Sequence, residues 1–133
     1  MKITRDDLKT VFIFGLHLAR IDNRFDPFEQ KLLAKVAQAI KLTTQEKEQL
    51  VKGRVSLQKS LRLLSGESAL NLLAKTLCAV AHQDGVVEPE EKEFIHRVLS
   101  HSDKPVMLLP QEEWGGYEAE VLDSLAQYQS ESL

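Results

Sequence analysis

Five carboxylate side chains fall within ten consecutive residues of this sequence, from Asp84 to Glu93. They belong to the segment AVAHQDGVVEPEEKEF, residues 79–94, where they surround a Gly and a Pro. Converging carboxylate oxygens are the ligands that Ca²⁺ and Mg²⁺ prefer, and paired carboxylates also act as general acids and bases. The same side chains also cap helices. Three interpretations therefore compete: a metal loop, a catalytic acid cluster, and a turn between two helices.

A related segment lies 62 residues earlier, because LARIDNRFDPFEQKLLAKVA from Leu18 aligns with VAHQDGVVEPEEKEFIHRVL from Val80. We name the two matching turns the first elbow, residues 22–29, and the second elbow, residues 84–91. The repeat predicts two helical hairpins related by a pseudo-twofold axis. The matched pairs are Asp22 with Asp84, Asn23 with Gly85, Phe25 with Val87, Asp26 with Glu88, Pro27 with Pro89, and Glu29 with Glu91.

Helix capping explains most of the second elbow. Gly85 can take the left-handed conformation that ends a helix. Glu88 then caps the next helix, Pro89 takes its first position, and Glu91 at the third position reaches back to the capping residue. Capping leaves Asp84 unexplained.

The alternative is a divalent-metal site, with Ca²⁺ or Mg²⁺ as the expected ion. It is no EF-hand, because the twelfth position counted from Asp84 is Ile95, and counted from Asp22 it is Leu33. An arrangement that shares carboxylates between the two elbows is left open. The candidate metal ligands are Asp22, Asp26, Glu29, Asp84, Glu88 and Glu91.

The elements that must position these elbows are helices, because apolar residues recur at spacings of three and four nearly throughout. No stretch alternates as a strand does, so we predict an all-α fold, a compact bundle of about six to seven helices. Capping boxes are expected at Thr4 with Asp7 and at Thr43 with Glu46. The fifth helix has little polar face and should be the central one. The predicted helices span about 5–20, Pro27 to about Ile40, a short segment after Thr43, and about 54–64, 67–82, 89–100 and 117–128.

Composition restricts the class of protein. The 133 residues predict one domain, and 43% apolar with 28% charged residues is typical of a globular chain. A net charge of −3 gives no general reason to bind nucleic acid. The single cysteine, Cys78, has apolar neighbours and predicts a core thiol in a reducing compartment. Without a signal peptide or an apolar span, we expect a cytoplasmic protein with no membrane insertion.

The elbow pattern resembles the TerB-like domain, found in the tellurite-resistance TerB family and at the front of some J-domain co-chaperones. The pattern reads AHQDGVVEPEE in the second copy and, less faithfully, ARIDNRFDPFE in the first. The resemblance covers about residues 6–101, leaving 102–133 as a carboxyl-terminal extension. It implies a helical fold, no known catalytic activity, and a metal-linked or stress-linked scaffolding role, with the six acidic elbow residues as its site. Asn23, where the family has Gly, and Arg24 beside it depart from the pattern.

Other residues allow paired interpretations. His82 either joins a site at the second elbow or is a polar surface residue at a helix end. The basic residues Lys52, Arg54, Lys59 and Arg62 form either a solvated face or a surface for an acidic partner. In the tail, Trp114 and Tyr117 either pack back on the bundle or offer an anchor to a partner.

The functional expectation is a non-enzymatic interaction or stress-sensing module with an unidentified protein partner. The alternative is a metal-dependent enzyme, hydrolase-like, that uses the same acidic elbows. No nucleophile motif, phosphate loop or His-Glu-x-x-His pattern occurs in the sequence. A homodimer is left open.

Overall fold

A computed structural model describes residues 3–22, 31–52, 57–62, 64, 66–82, 89–100 and 110–131. Every regular element in these ranges is helical, so the all-α prediction is confirmed. None of the helices within the described ranges is long and apolar enough to cross a membrane. The elements are α1 (Arg5–Asp22), α2 (Lys31–Ala39), α3 (Thr44–Lys52), α4 (Leu57–Arg62), α5 (Glu67–His82), α6 (Pro89–Ser100), a 3₁₀ helix (Gln111–Gly116) and α7 (Tyr117–Glu131).

Both predicted capping boxes form and fix the starts of α1 and α3. The Thr4 backbone N–H donates to Asp7 Oδ2 at 2.9 Å, and the Asp7 N–H donates to Thr4 Oγ1 at 3.1 Å. Thr43 and Glu46 make the same reciprocal pair, with both distances 3.1 Å. Each box satisfies two backbone donors that the first turn of a helix leaves without partners.

The end of α2 is a Schellman motif. Lys41 has a φ of 53°, which places it in the left-handed region, and its N–H donates to Gln38 O at 3.1 Å. The Leu42 N–H donates to Ala37 O at 3.0 Å. Glycine usually occupies the left-handed position, so a lysine there is under backbone strain.

α5 is the central helix, as predicted. Eleven of its sixteen residues are buried, and it contacts α1, α2, α6, α7 and the 3₁₀ helix. The two predicted hairpins make matching contacts, because α1 packs on α2 as α5 packs on α6, and α1 reaches α6 as α5 reaches α2. The pseudo-twofold relation itself stays a prediction.

Residues 110–131 complete the core rather than trail from it. α7 packs against α5 and α2, and the 3₁₀ helix packs against α5. Trp114 and Tyr117 are 3% and 4% exposed, and they join Val121 and Leu125 in the same hydrophobic core as α1 and α2. The apolar surface of α5 therefore has a cover that the family-like segment alone would lack.

Candidate functional site

The directions of α1 and α5 decide where the two elbows begin. Ile3, just before α1, lines the same cleft as Ser68 and Asn71 from the first two turns of α5. The two helices therefore start at one end of the bundle, and they pack extensively on each other within the described residues, so they run in the same direction. With 18 and 16 residues they are about 27 and 24 Å long. Asp22 and His82, which end these helices, consequently lie at the same opposite end, the elbow end.

The start of α6 is held against α1 near the elbow end. Phe94 makes an edge contact with the His17 ring, with 5.0 Å between centroids, and a tilted contact with Phe14 at 6.5 Å. His17 lies five residues before the end of α1, and Phe94 lies five residues after the start of α6. These ring contacts therefore hold α6, which follows the second elbow, against α1, which precedes the first elbow.

Glu91 is the candidate ligand whose side chain the structure describes. It lies in the first turn of α6, at the third helical position, and is 4% exposed. It takes part in a hydrogen bond or another electrostatic contact. A buried carboxylate at this position fits the capping role predicted for it, since the N-terminal end of a helix favours negative charge.

The other candidate ligands are described less fully or not at all. Asp22 is the last residue of α1. Asp26, Glu29, Asp84 and Glu88 lie outside the described residues. Within the part of the chain that the structure describes, no three His, Cys, Asp or Glu side chains are grouped to hold a metal. A metal site at the elbow end would therefore draw ligands from the elbows, and it stays a prediction.

His82 lies under the carboxyl-terminal extension. It ends α5 half-buried, and a Cβ added to Gly115 would stand 3.1 Å from its Cε1 and 3.2 Å from its Nδ1. The 3₁₀ helix thus packs its backbone against the imidazole, two residues before Asp84. No sequence signal indicated this contact, because QEEWGG has no helical periodicity of its own.

The tail residues that we considered as a partner anchor have a different role in the structure. Trp114 and Tyr117 are buried in the core, so they present no exposed aromatic surface to a partner. For residues 110–117 the other interpretation holds, that the segment packs back over the bundle. The physical reason is the apolar outer surface of α5, which these two large side chains cover.

The lone thiol is a core residue. Cys78 is fully buried, and burial raises the pKa of its thiol to about 12. Since the thiolate is the nucleophile, the raised pKa and the burial of this side chain both disfavour its reaction near neutral pH.

Two residues of the predicted basic face, Lys59 and Arg62, are exposed on α4. Arg54 and the side chain of Lys52 lie outside the residues that the structure describes.

One charged cluster was missed by sequence reasoning. Arg5 Nη2 lies 3.1 and 3.2 Å from the two Glu46 carboxylate oxygens, and Lys9 Nζ lies 3.1 Å from Oε2. Hydrogen bonds from Arg5, the Thr43 N–H and Lys9 lower the pKa of the Glu46 carboxyl from 4.5 to about 2. Arg5 Nε also donates to the Ile40 carbonyl at 3.0 Å, so the cluster joins α1 to the end of α2 and the start of α3.

Comparisons with protein-family models, curated proteins and solved structures gave no match for this chain. The TerB-like resemblance therefore rests on the two elbow motifs.

Proposed function

We propose that the protein is a non-enzymatic interaction or stress-sensing module of the TerB-like type, and that its working surface is the elbow end of the bundle. The supporting observation is that α1 and α5 run in the same direction and reach this end together. Each helix leads directly into one of the two acidic elbows. Two elbows on one end can present their carboxylates to a single ligand or partner, whereas elbows on opposite ends could not.

The candidate ligand is a divalent cation, with Ca²⁺ or Mg²⁺ favoured by the all-oxygen donor set. The candidate donors are Asp22, Asp26, Glu29, Asp84 and Glu88, and the buried Glu91, the sixth candidate, would position the start of α6. A bound cation would neutralise carboxylates that otherwise repel one another, so it would favour elbows that lie close together. In this proposal, metal binding changes the shape and charge of the surface that a protein partner contacts.

Calorimetric titration with Ca²⁺, Mg²⁺, Mn²⁺ and Zn²⁺ tests the metal component. Wild type should bind at least one of the ions, Asp84→Ala should lose that binding, and Glu48→Ala, an exposed acid on α3, should keep it. No binding of any ion to wild type would refute a metal site. Binding that survives Asp84→Ala and Asp22→Ala would place the site away from the elbows.

The partner component has its own test. Proteins captured by wild type should be lost with Asp84→Lys and retained with Glu48→Lys, because only the first reversal alters the elbow end.

The enzyme alternative predicts turnover in a broad hydrolase substrate panel that a chelator abolishes. Such turnover would replace the interaction module with a metal-dependent hydrolase. A cytoplasmic location is part of the proposal, supported by the free thiol of Cys78.

A further inference from the structure

A second candidate site lies at the end of the bundle opposite the elbows. A cleft of about 320 Å³ separates the first half of α5 from the second half of α7. Small-molecule pockets typically measure roughly 300–1,000 Å³, so this cleft suits a ligand at the small end of that range. Ile3 and Leu72 supply its apolar lining, and the seven other lining residues carry polar groups.

The two helices that form the cleft run in opposite directions. At one end of their contact, Gly115 before α7 lies against His82 at the end of α5. At the other end, Glu131 at the end of α7 lines the cleft with Ser68 at the start of α5. This register puts a cation, Lys75, toward the middle of the bundle and an anion, Glu131, at the outer end of the cleft.

Between these two charges the lining is rich in amides. Asn71 projects from α5 one turn before Lys75, and Gln127 projects from α7 one turn before Glu131. Each side-chain amide offers both a donor and an acceptor. Ser124 and Tyr128 add hydroxyl groups to the same walls. A ligand that matches this pattern has an anion at one end, a cation at the other, and amide groups between them.

We infer that the cleft binds a short peptide of two or three residues with both termini free. Its carboxylate binds Lys75, its ammonium group binds Glu131, and its backbone amides pair with Asn71 and Gln127. A single amino acid is too short for this match, because its ammonium and carboxylate groups are attached to one carbon. Lys75, in contrast, lies about two helical turns along α5 from Ser68, which lines the cleft at the same end as Glu131. This site is independent of the elbow end and of the proposed function.

In the structure, Lys75 and Glu131 each make a weak contact that a ligand can replace. Lys75 Nζ lies 3.4 Å from Glu120 Oε1, and these side chains are 37% and 52% exposed. Exposed ion pairs of this kind contribute little, because water screens them and holding the side chains costs entropy. Glu131 Oε1 accepts a long hydrogen bond, 3.5 Å, from Gln127 Nε2. A peptide carboxylate and ammonium group can therefore displace both contacts.

Triglycine is the test ligand, and amide chemical shifts of the full chain are the measurement. Wild type should show saturable shifts along α5 and α7 with a Kd on the order of 1 mM, as expected for so small a ligand. Lys75→Gln and Glu131→Gln should each weaken binding roughly three- to tenfold. Glu120→Gln should tighten it, because it removes the competitor for Lys75. Glu48→Gln is the matched control, and each variant's circular dichroism should equal that of wild type.

Three results would overturn the inference. The first is the absence of saturable shifts with triglycine at about 50 mM, far above the expected Kd. The second is equal binding of triglycine acetylated at one end and amidated at the other, since that probe lacks both charges. The third is unchanged affinity in Lys75→Gln and Glu131→Gln.

Discussion

Replacing Gly15 with alanine tests how closely α1 and α2 approach each other. A Cβ at this position would overlap with Leu33 Cδ2 and stand 3.3 Å from Leu33 Cγ, inside the usual carbon–carbon contact distance of about 3.5–4.0 Å. Leu33 is fully buried within the hydrophobic core, so its displaced methyl group would move toward other core side chains. Overpacking a core in this way costs about 1–3 kcal/mol, and the better helix propensity of alanine returns about 1 kcal/mol. Gly15→Ala should therefore lower the free energy of unfolding by up to about 2 kcal/mol.

In a chain that already carries Leu33→Ala, the Gly15→Ala substitution should stabilise rather than destabilise the fold. Leu33→Ala alone should cost about 2–5 kcal/mol because it leaves a cavity beside Gly15. Adding Gly15→Ala to that variant then fills part of the cavity and gains helix propensity, so it should stabilise by about 1 kcal/mol. The coupling free energy between the two sites is the difference, about 1–3 kcal/mol.

Urea unfolding followed by far-ultraviolet circular dichroism measures all four proteins of this cycle. Gly116→Ala is the matched control, because a Cβ there meets no atom within 4 Å. If Gly15→Ala stabilised the wild-type chain, or if the two substitutions were additive, the close contact between α1 and α2 would be refuted.

Three further predictions concern single side chains. Lys41→Gly should raise the free energy of unfolding by about 0.5–1 kcal/mol, since glycine relieves the positive φ, whereas Lys41→Ala should have little effect in the same urea assay. The lowered pKa of Glu46 contributes stability that is fully present above its unfolded pKa of about 4.5 and is lost as the pH falls toward 2. Wild type and Glu46→Gln should therefore converge in stability over that pH range, and a constant difference would contradict the ionic contacts of Glu46. Cys78 should react with a small thiol reagent at least about a thousandfold more slowly in the native protein than in denaturant, and rapid native labelling would contradict its burial.

Local signals allowed much of the fold to be predicted. The bounds of α5 and α6 match the predicted 67–82 and 89–100, because apolar periodicity and the Gly–Pro punctuation between them are properties of neighbouring residues. The 3₁₀ helix was not predicted, since only the burial of Trp114 against α5 explains it. The Arg5–Glu46 contact joins two partly buried residues that are 41 apart in sequence, and no spacing rule connects such residues.

The candidate site shows the same division between local and tertiary information. Helix capping indicated which elbow residues serve the backbone, and Glu91 lies at the position expected for that role. Whether the two elbows begin at one end of the bundle depends on the direction of α1 relative to α5, which periodicity does not contain. The cleft lined by Ile3 and Ser68 supplies that direction.

The carboxyl-terminal extension packs on α5, the helix that precedes the second elbow. α7 runs opposite to α5, so the chain enters α7 at the elbow end and places the 3₁₀ helix on His82, directly before the second elbow. Because a Cβ at position 115 would stand 3.1 Å from the imidazole, a side chain there would have to shift His82, the last residue of α5. The extension, which lies outside the TerB-like resemblance, is in this way part of the structure that presents the proposed working surface.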